Sequence, residues 1–276
     1  MKVHERGRAK KAAEENRTGG GEGIALECYR LFALQAPRIL APMWVFPLAA
    51  ALVAFVFAAA LGRRFAQTRR IYLAMWCGAL LMYAIASLAV AGGAAVGWSR
   101  TLFEVYWIFG AVLNVPLLAA GEVHLLGRGR ALDLAVWVVL AFVFAYTIAV
   151  TRGALMDPAA LAERLPSGKE VFGDGSAAFR LPQLISIPSY LILVAGAAWS
   201  AWRMRGRPEL RSRFIGTLLV AAGATITAAA GSAFAAVGNL PAFSLSLLAG
   251  VAVMFLGFLR ATESRPSPQR VELPTP

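Results

Sequence analysis

The sequence is dominated by a succession of long apolar runs that carry almost no charge. Each run is at least 20 residues long, and a helix needs about 20 apolar residues to cross a bilayer. The links between the runs are mostly short and rich in arginine. This pattern predicts an all-α, polytopic membrane protein with seven transmembrane helices. The runs cover residues 43–62, 71–91, 103–126, 131–150, 181–202, 214–236 and 240–259.

The composition agrees with a membrane protein. Hydrophobic side chains make up 59% of the 276 residues and charged side chains 15%, which is more apolar than a soluble domain of this length. A formal net charge of +12 would suit a nucleic-acid-binding protein if it covered one surface, but here the positive charges lie in short clusters between the apolar runs. They therefore indicate membrane topology, with the lipid bilayer as partner and no nucleic acid.

The distribution of positive charge predicts an orientation. The links after the first, third and fifth runs and the C-terminal tail carry fourteen lysines and arginines, and the other links carry five. Cytoplasmic loops are enriched in these residues. The sequence thus predicts a multi-pass protein of the cell inner (plasma) membrane, with the C-terminus in the cytoplasm and the N-terminus outside.

The segments outside the runs are predicted to be tails and one loop. Residues 1–42 carry eight positive charges on the outer side, against the bias, and two interpretations stay open: a polar tail with an interfacial helix, or a native start at Met43. Residues 261–276, rich in proline and charge, are predicted to be disordered. In the loop 151–180, Asp157-Pro158 predicts the start of a short helix through Leu165, followed by turns.

The third run, 103–126, carries more polar chemistry than any other. Glu104 and Glu122 fall on one helical face, and Tyr106 and His124 on another. The members of each pair are roughly 27 Å apart along the helix, so they mark opposite membrane surfaces and do not form one catalytic site. Glu122 is interpreted as an interfacial carboxylate that snorkels or pairs with a nearby arginine. Glu104 and His124 are interpreted as interfacial as well.

Asn114 lies near the middle of the third run, two residues before Pro116. An amide in the membrane must find hydrogen-bond partners, and the proline removes a backbone donor and favours a kink. A hydrogen bond to a neighbouring helix is the favoured prediction, and a ligand contact in a central cavity is the alternative. The polar side chains that would complete either arrangement are Tyr83, Ser87, Tyr106, Trp107, Ser186, Ser189, Thr225 and Thr227.

Several functions are excluded because the runs lack the residues that these functions require. The central parts of the runs contain no ionisable side chain of the kind that marks proton relays and ion pumps, and they contain no lysine to bind retinal. Two histidines, His4 and His124, are too few for a metal or haem site, and no nucleophile stands beside a base. We therefore predict a protein that is not an enzyme and has no cofactor.

Two patterns bear on helix packing and on an internal repeat. Gly223, Thr227 and Gly231 follow one another at a spacing of four, which predicts a close helix contact. The sequence AAVG at 94–97 and again at 235–238 suggests a three-one-three repeat of helices. Pro182-Gln183 resembles the motif of PQ-loop and SWEET-like carriers, seven-helix proteins of that design. This resemblance, a single dipeptide, implies a facilitative transporter of an uncharged small solute.

A second resemblance covers more of the chain. The segments MWVFPLAAALVAFVFAAALGRR, YWIFGAVLNVPLLAAGEVHLL and GVAVMFLGFL together resemble an uncharacterised family of seven-helix membrane proteins from actinobacteria and related bacteria. The similarity runs from Met43 to about Arg260. It implies a bacterial membrane protein and a start at Met43, and it implies no activity.

Two classes of function follow from the sequence. The first is a non-enzymatic sensor that binds a small molecule or lipid, or a subunit of a membrane complex. No aqueous segment is large enough to fold as an output domain, so this class requires a membrane-protein partner or a second copy of the chain. The alternative is the facilitative transporter. A polar path open from both sides would favour the transporter, whereas a sealed bundle, or one open sideways to lipid, would favour the sensor or subunit.

Overall fold

The computed structural model describes residues 43–127, 129–207 and 210–263, and these residues form helices and turns without a strand. Seven of the helices are long and apolar enough to cross a membrane. The prediction of an all-α, seven-helix fold is therefore confirmed, and the protein is a multi-pass membrane protein. The expectations for residues 1–42 and 264–276 lie outside the described residues.

The helices follow the apolar runs and in most cases extend beyond them. α7 reaches Glu263, into the segment expected to be a disordered tail. The helices are α1 Val45–Thr68, α2 Ile71–Val96, α3 Arg100–Leu126, α4 Arg130–Gly153, α5 Ala177–Met204, α6 Arg211–Ala236 and α7 Leu240–Glu263.

Serine caps and glycine turns set several of the helix boundaries. Ser99 accepts the backbone N–H of Leu102 at 3.2 Å at the start of α3, and Ser176 accepts that of Phe179 at 3.1 Å at the start of α5. Gly97, after α2, has a φ of +94°, which a side chain would disfavour. These local signals confine the turns to the ends of the spanning helices.

The two ends of the bundle differ in composition. The end that carries the connection 154–176 is called the loop end, and it also holds the turns 97–99 and 237–239. The opposite end is called the basic end, because Arg69 and Arg70 of the α1–α2 turn and other arginines of the connecting segments lie there.

Six of the spanning helices form a ring, in the order α1, α2, α3, α5, α6 and α7, with α7 packed against α1. α4 lies outside the ring and packs against α3 and the first turns of α5. Trp137 and Phe142 of α4 are exposed. Lipid tails are as apolar as leucine, so exposed apolar side chains on this helix suit contact with the bilayer.

Glycines bring α6 and α7 into backbone contact. A Cβ atom at position 223 would lie 2.5 Å from the backbone oxygen of Gly250, and one at position 216 would lie 2.5 Å from that of Gly257. A side chain at position 250 would collide with the hydroxyl of Thr227. The predicted close contact is confirmed at Gly223 and Thr227. Gly231 has more room, with its nearest neighbour 3.6 Å from such a Cβ.

The connection 154–176 differs from its predicted structure. The carboxylate of Asp157 accepts the backbone N–H of Ala159 at 2.9 Å, but only one 3-10 turn, Ala160–Ala162, follows. The predicted helix through Leu165 is therefore wrong. A short helix, Gly168–Phe172, forms where turns were expected. Its last two residues, Val171 and Phe172, are buried, so packing against the bundle favours the helix at this later position.

Candidate functional site

The ring encloses a cavity of about 910 Å³. Its walls come from α2, α3, α5, α6 and α7 and from the connection 154–176. Seven of the predicted polar side chains line it: Tyr83, Ser87, Tyr106, Trp107, Asn114, Ser186 and Thr227. Thr225 does not. It faces α5 and bonds Tyr190, whereas Thr227, two residues further along α6, faces the cavity.

Asn114 is the most unusual of the lining residues. Its side chain is 6% exposed, and its Oδ1 atom is buried without a hydrogen-bond partner among the described residues. The favoured prediction of an interhelical hydrogen bond therefore does not describe this residue. Asn114 instead occupies the cavity wall, as in the alternative prediction. An unpaired buried amide oxygen costs free energy, and a ligand group could relieve that cost.

Three of the neighbouring polar groups, in contrast, are bonded to backbone carbonyls. The Tyr83 hydroxyl donates to the carbonyl of Leu247 at 2.8 Å and links α2 to α7. The Trp107 indole donates to the carbonyl of Ala178 at 3.2 Å, and the Ser186 hydroxyl to that of Ala111 at 2.8 Å. These bonds fix the walls, whereas the buried oxygen of the Asn114 carboxamide has no such bond.

Three segments of π-helix border the cavity. They are Tyr106–Leu113 in α3, Pro182–Ser186 in α5 and Ile226–Ala230 in α6. π-helical turns are rare and occur frequently at functional sites, because the wider turn rearranges the backbone hydrogen bonds. The Ser186 hydroxyl donates to the carbonyl of Ala111, inside the π-segment of α3. The three π-helical segments thus occur where α3, α5 and α6 face the cavity.

The cavity is closed toward the basic end. Its lining stops at Ala79 of α2, Leu118 of α3 and Met254 of α7. More than two helical turns, about 12 Å, separate these residues from the ends of their helices. The Trp76 indole fills part of this region and donates to the carbonyl of Leu118 at 3.1 Å, while its ring lies where a side chain at position 121 would be. The basic end is therefore packed.

The connection 154–176 covers the loop end of the cavity. Gly168 lies directly on the Trp107 ring, and a Cβ atom there would collide with the ring. Phe172 packs against the same indole, with ring centroids 5.3 Å apart. Lys169 and Asp174 form an exposed ion pair at 3.1 Å. The roof thus combines aromatic contacts at Trp107 with exposed charged side chains that also line the cavity.

The cavity opens sideways between α5 and α6. These helices pack together in their halves toward the basic end, and the hydroxyls of Tyr190 and Thr225 meet at 2.8 Å. Beyond that bond, residues 177–186 and residues 226–236 make no extended contact with each other. Cavity-lining residues are exposed on both sides of this gap: Gln183 and Ile187 on α5, and Ala229 and Ser232 on α6. Because α5 and α6 are spanning helices, the gap between them lies at the level of the bilayer.

Glu104, at the loop end of α3, belongs to a different environment from the cavity. Its carboxylate is 2.9 Å from Nε of Arg100. The same arginine donates to the carbonyl of Arg152 at 3.1 Å. Arg100 thus ties the start of α3 to the end of α4, and Glu104 does not line the cavity.

Glu122 and His124, toward the basic end of α3, are also outside the cavity wall. Glu122 is 5% exposed and lies against Gly196 of α5. It pairs with no arginine among the described residues, which differs from the expected snorkelling carboxylate. His124 Nδ1 is 2.9 Å from the carbonyl of Ala120. Its Nε2 is 3.3 Å from Oδ1 of Asp133, although without hydrogen-bond geometry.

The sequence interpretation missed the residues that define the gap and the roof. Gln183, Tyr190 and Ser232 line the cavity but were not selected as site residues. Pro182 and Pro188 at the start of α5 were the available signal, because prolines disturb regular helix hydrogen bonding.

Comparisons of the chain with protein-family models, curated proteins and solved structures find no match. Inference about function therefore depends on the geometry of the cavity.

Proposed function

We propose that this protein is a non-enzymatic membrane protein that binds a lipid-like small molecule from the bilayer, as a sensor or as the ligand-binding subunit of a membrane complex. One observation carries the proposal: the cavity is open sideways to lipid and closed toward the basic end. A ligand dissolved in the membrane reaches such a site without crossing water.

The size and chemistry of the cavity suit an amphipathic ligand. Small-molecule sites typically have volumes of about 300–1,000 Å³ and mostly apolar walls with a few polar groups, and the cavity of about 910 Å³ lies near the upper limit. Leu80, Val90 and Leu247 are among its apolar walls. The charged lining residues, Lys169 among them, belong to the roof.

A facilitative transporter is supported less well by this shape. Alternating access needs a central site that opens to each side in turn. One closed side is expected of any single state in such a cycle, but contact between α6 and α7 through Gly216 and Gly223 makes the packed basic end difficult to open. No observation in the described residues favours a path through the basic end.

The charge distribution assigns the ligand to one leaflet. Arginines are concentrated at the basic end, so we infer that this end is cytoplasmic and that the connection 154–176 is outside. The gap then faces the outer leaflet.

Reporter fusions test this orientation. A reporter active only in the periplasm, fused at the C-terminus, is expected to be silent. The same reporter inserted at Gly175 is expected to be active, and the reverse pattern would contradict this orientation.

Photolabelling tests binding from the bilayer. The full chain in phosphatidylcholine vesicles is irradiated with hexadecane that carries a diazirine, and the labelled residues are mapped. We expect labels on cavity residues near Leu118. Ala229→Trp fills the gap and is expected to abolish them, whereas Ala141→Trp, on the exposed side of α4, is expected to leave them unchanged. Absence of cavity labels in the unmodified protein would contradict the proposal.

A further inference from the structure

The position of Asn114 indicates which part of a ligand reaches the closed end of the cavity. Asn114 is fourteen residues from the start of α3 at Arg100, about 21 Å along the helix axis. Its carboxamide is more than nine-tenths buried, and its oxygen has no partner among the described residues. A purely apolar tail at this depth would leave that oxygen unpaired.

The surroundings of Asn114 limit the charge of the bound group. Cavity residues near this depth include Tyr83, Leu118 and Leu193, and the charged lining residues belong to the roof. A carboxylate, phosphate or ammonium group would lose its hydration there without gaining an opposite charge, which is costly inside a membrane. The group that Asn114 binds is therefore uncharged.

A hydroxyl group matches the carboxamide in both of its orientations. Rotation of the Asn114 carboxamide exchanges its oxygen acceptor and its nitrogen donor. A hydroxyl can donate to the oxygen or accept from the nitrogen, whereas an ether can only accept. The gap between α5 and α6 gives the remainder of such a molecule a route to the bilayer.

We propose that the ligand is an uncharged lipid whose head carries a hydroxyl group, that this hydroxyl bonds the Asn114 carboxamide, and that the tail leaves the cavity between α5 and α6. The proposal rests on the proposed function, because it assumes that the cavity takes its ligand from the bilayer. It assigns recognition of the head to Asn114 and passage of the tail to the π-segments Pro182–Ser186 and Ile226–Ala230.

The test compares probes that differ only in their head. Hexadecanol, its methyl ether, hexadecane and hexadecanoic acid carry a diazirine at the same chain position, and each is used with the full chain in phosphatidylcholine vesicles. We expect the alcohol to label cavity residues about 3-fold to 20-fold more than the ether or the hydrocarbon, which is the range that one hydrogen bond in a membrane gives. The acid is expected to label no better than the hydrocarbon.

Variants then assign the preference to one side chain. Asn114→Leu is expected to remove the preference for the alcohol while hydrocarbon labelling continues. Ser189→Ala is the matched control, because the Ser189 hydroxyl donates to the carbonyl of Ile185 in its own helix at 2.7 Å and does not line the cavity. This variant is expected to keep the preference.

The outcomes separate this proposal from the broader one. Equal cavity labelling by the alcohol and the hydrocarbon, or stronger labelling by the acid, would overturn the hydroxyl assignment and leave binding from the bilayer intact. Absence of cavity labels with every probe would overturn both. The comparison of probes on the unmodified protein decides the question even if Asn114→Leu fails to fold.

Discussion

Replacing Asn114 with leucine in the ligand-free protein is expected to change the free energy of unfolding. The sign of the change depends on whether the carboxamide oxygen has a hydrogen-bond partner. The carboxamide oxygen is buried without a partner among the described residues, and burying an unpaired polar group costs about 1–3 kcal/mol in protein mutants. Leucine removes this group and adds apolar contact to the cavity wall. Asn114→Leu is therefore expected to raise the free energy of unfolding by about 1–2 kcal/mol.

The measurement is reversible unfolding of delipidated protein in detergent micelles, followed by circular dichroism. Tyr83→Phe is the comparison, because it loses a hydrogen bond of 2.8 Å to Leu247. It is expected to lower the free energy of unfolding by about 0.6–1.7 kcal/mol. A loss of about 1 kcal/mol or more in Asn114→Leu would show that the amide is bonded to another helix, and it would refute the reasoning from an unpaired oxygen.

Two further substitutions test the close contacts. Gly223→Ala places a Cβ against the backbone of α7 and is expected to lower the free energy of unfolding by about 1–3 kcal/mol. The control Gly153→Ala, in open space, should be neutral, and equal effects would contradict the packing. Gly168→Ala collides with Trp107 and is expected to speed proteolysis of the connection 154–176 about tenfold. Gly175→Ala, also in open space, should not, and similar cleavage in both would contradict the roof contact.

The spanning helices were predictable because their signal is length. A helix must extend across the bilayer, and an uncharged run of 20 residues or more indicates such a helix regardless of the neighbouring sequence. The contact at Gly223 was predictable for a similar reason, since only small residues at a spacing of four allow helices to approach closely in lipid. Both signals are local in the sequence.

The sequence allowed a central cavity but did not predict its gap between α5 and α6, because lipid and protein interior have the same polarity. In a soluble protein an apolar stripe marks the buried face of a helix, but in a membrane the exposed Leu184 and the buried Leu181 of α5 carry the same signal. The sequence draws attention to Asn114, but whether its amide bonds another helix or lines a cavity depends on which groups of other helices reach the same depth. That depth is a property of the assembled ring.

The most direct test of the side opening is to measure whether a side chain beside the gap contacts lipid or water. A spin label is attached to Ala228→Cys, which lines the cavity on α6, in a version that lacks Cys28 and Cys77. Labels at Ala141→Cys and Lys169→Cys provide references for lipid and water. We predict that the label at 228, like that at 141, collides with oxygen and not with a water-soluble nickel chelate. Collision with the nickel chelate would indicate a water-filled path and favour the transporter, and collision with neither would indicate a sealed bundle.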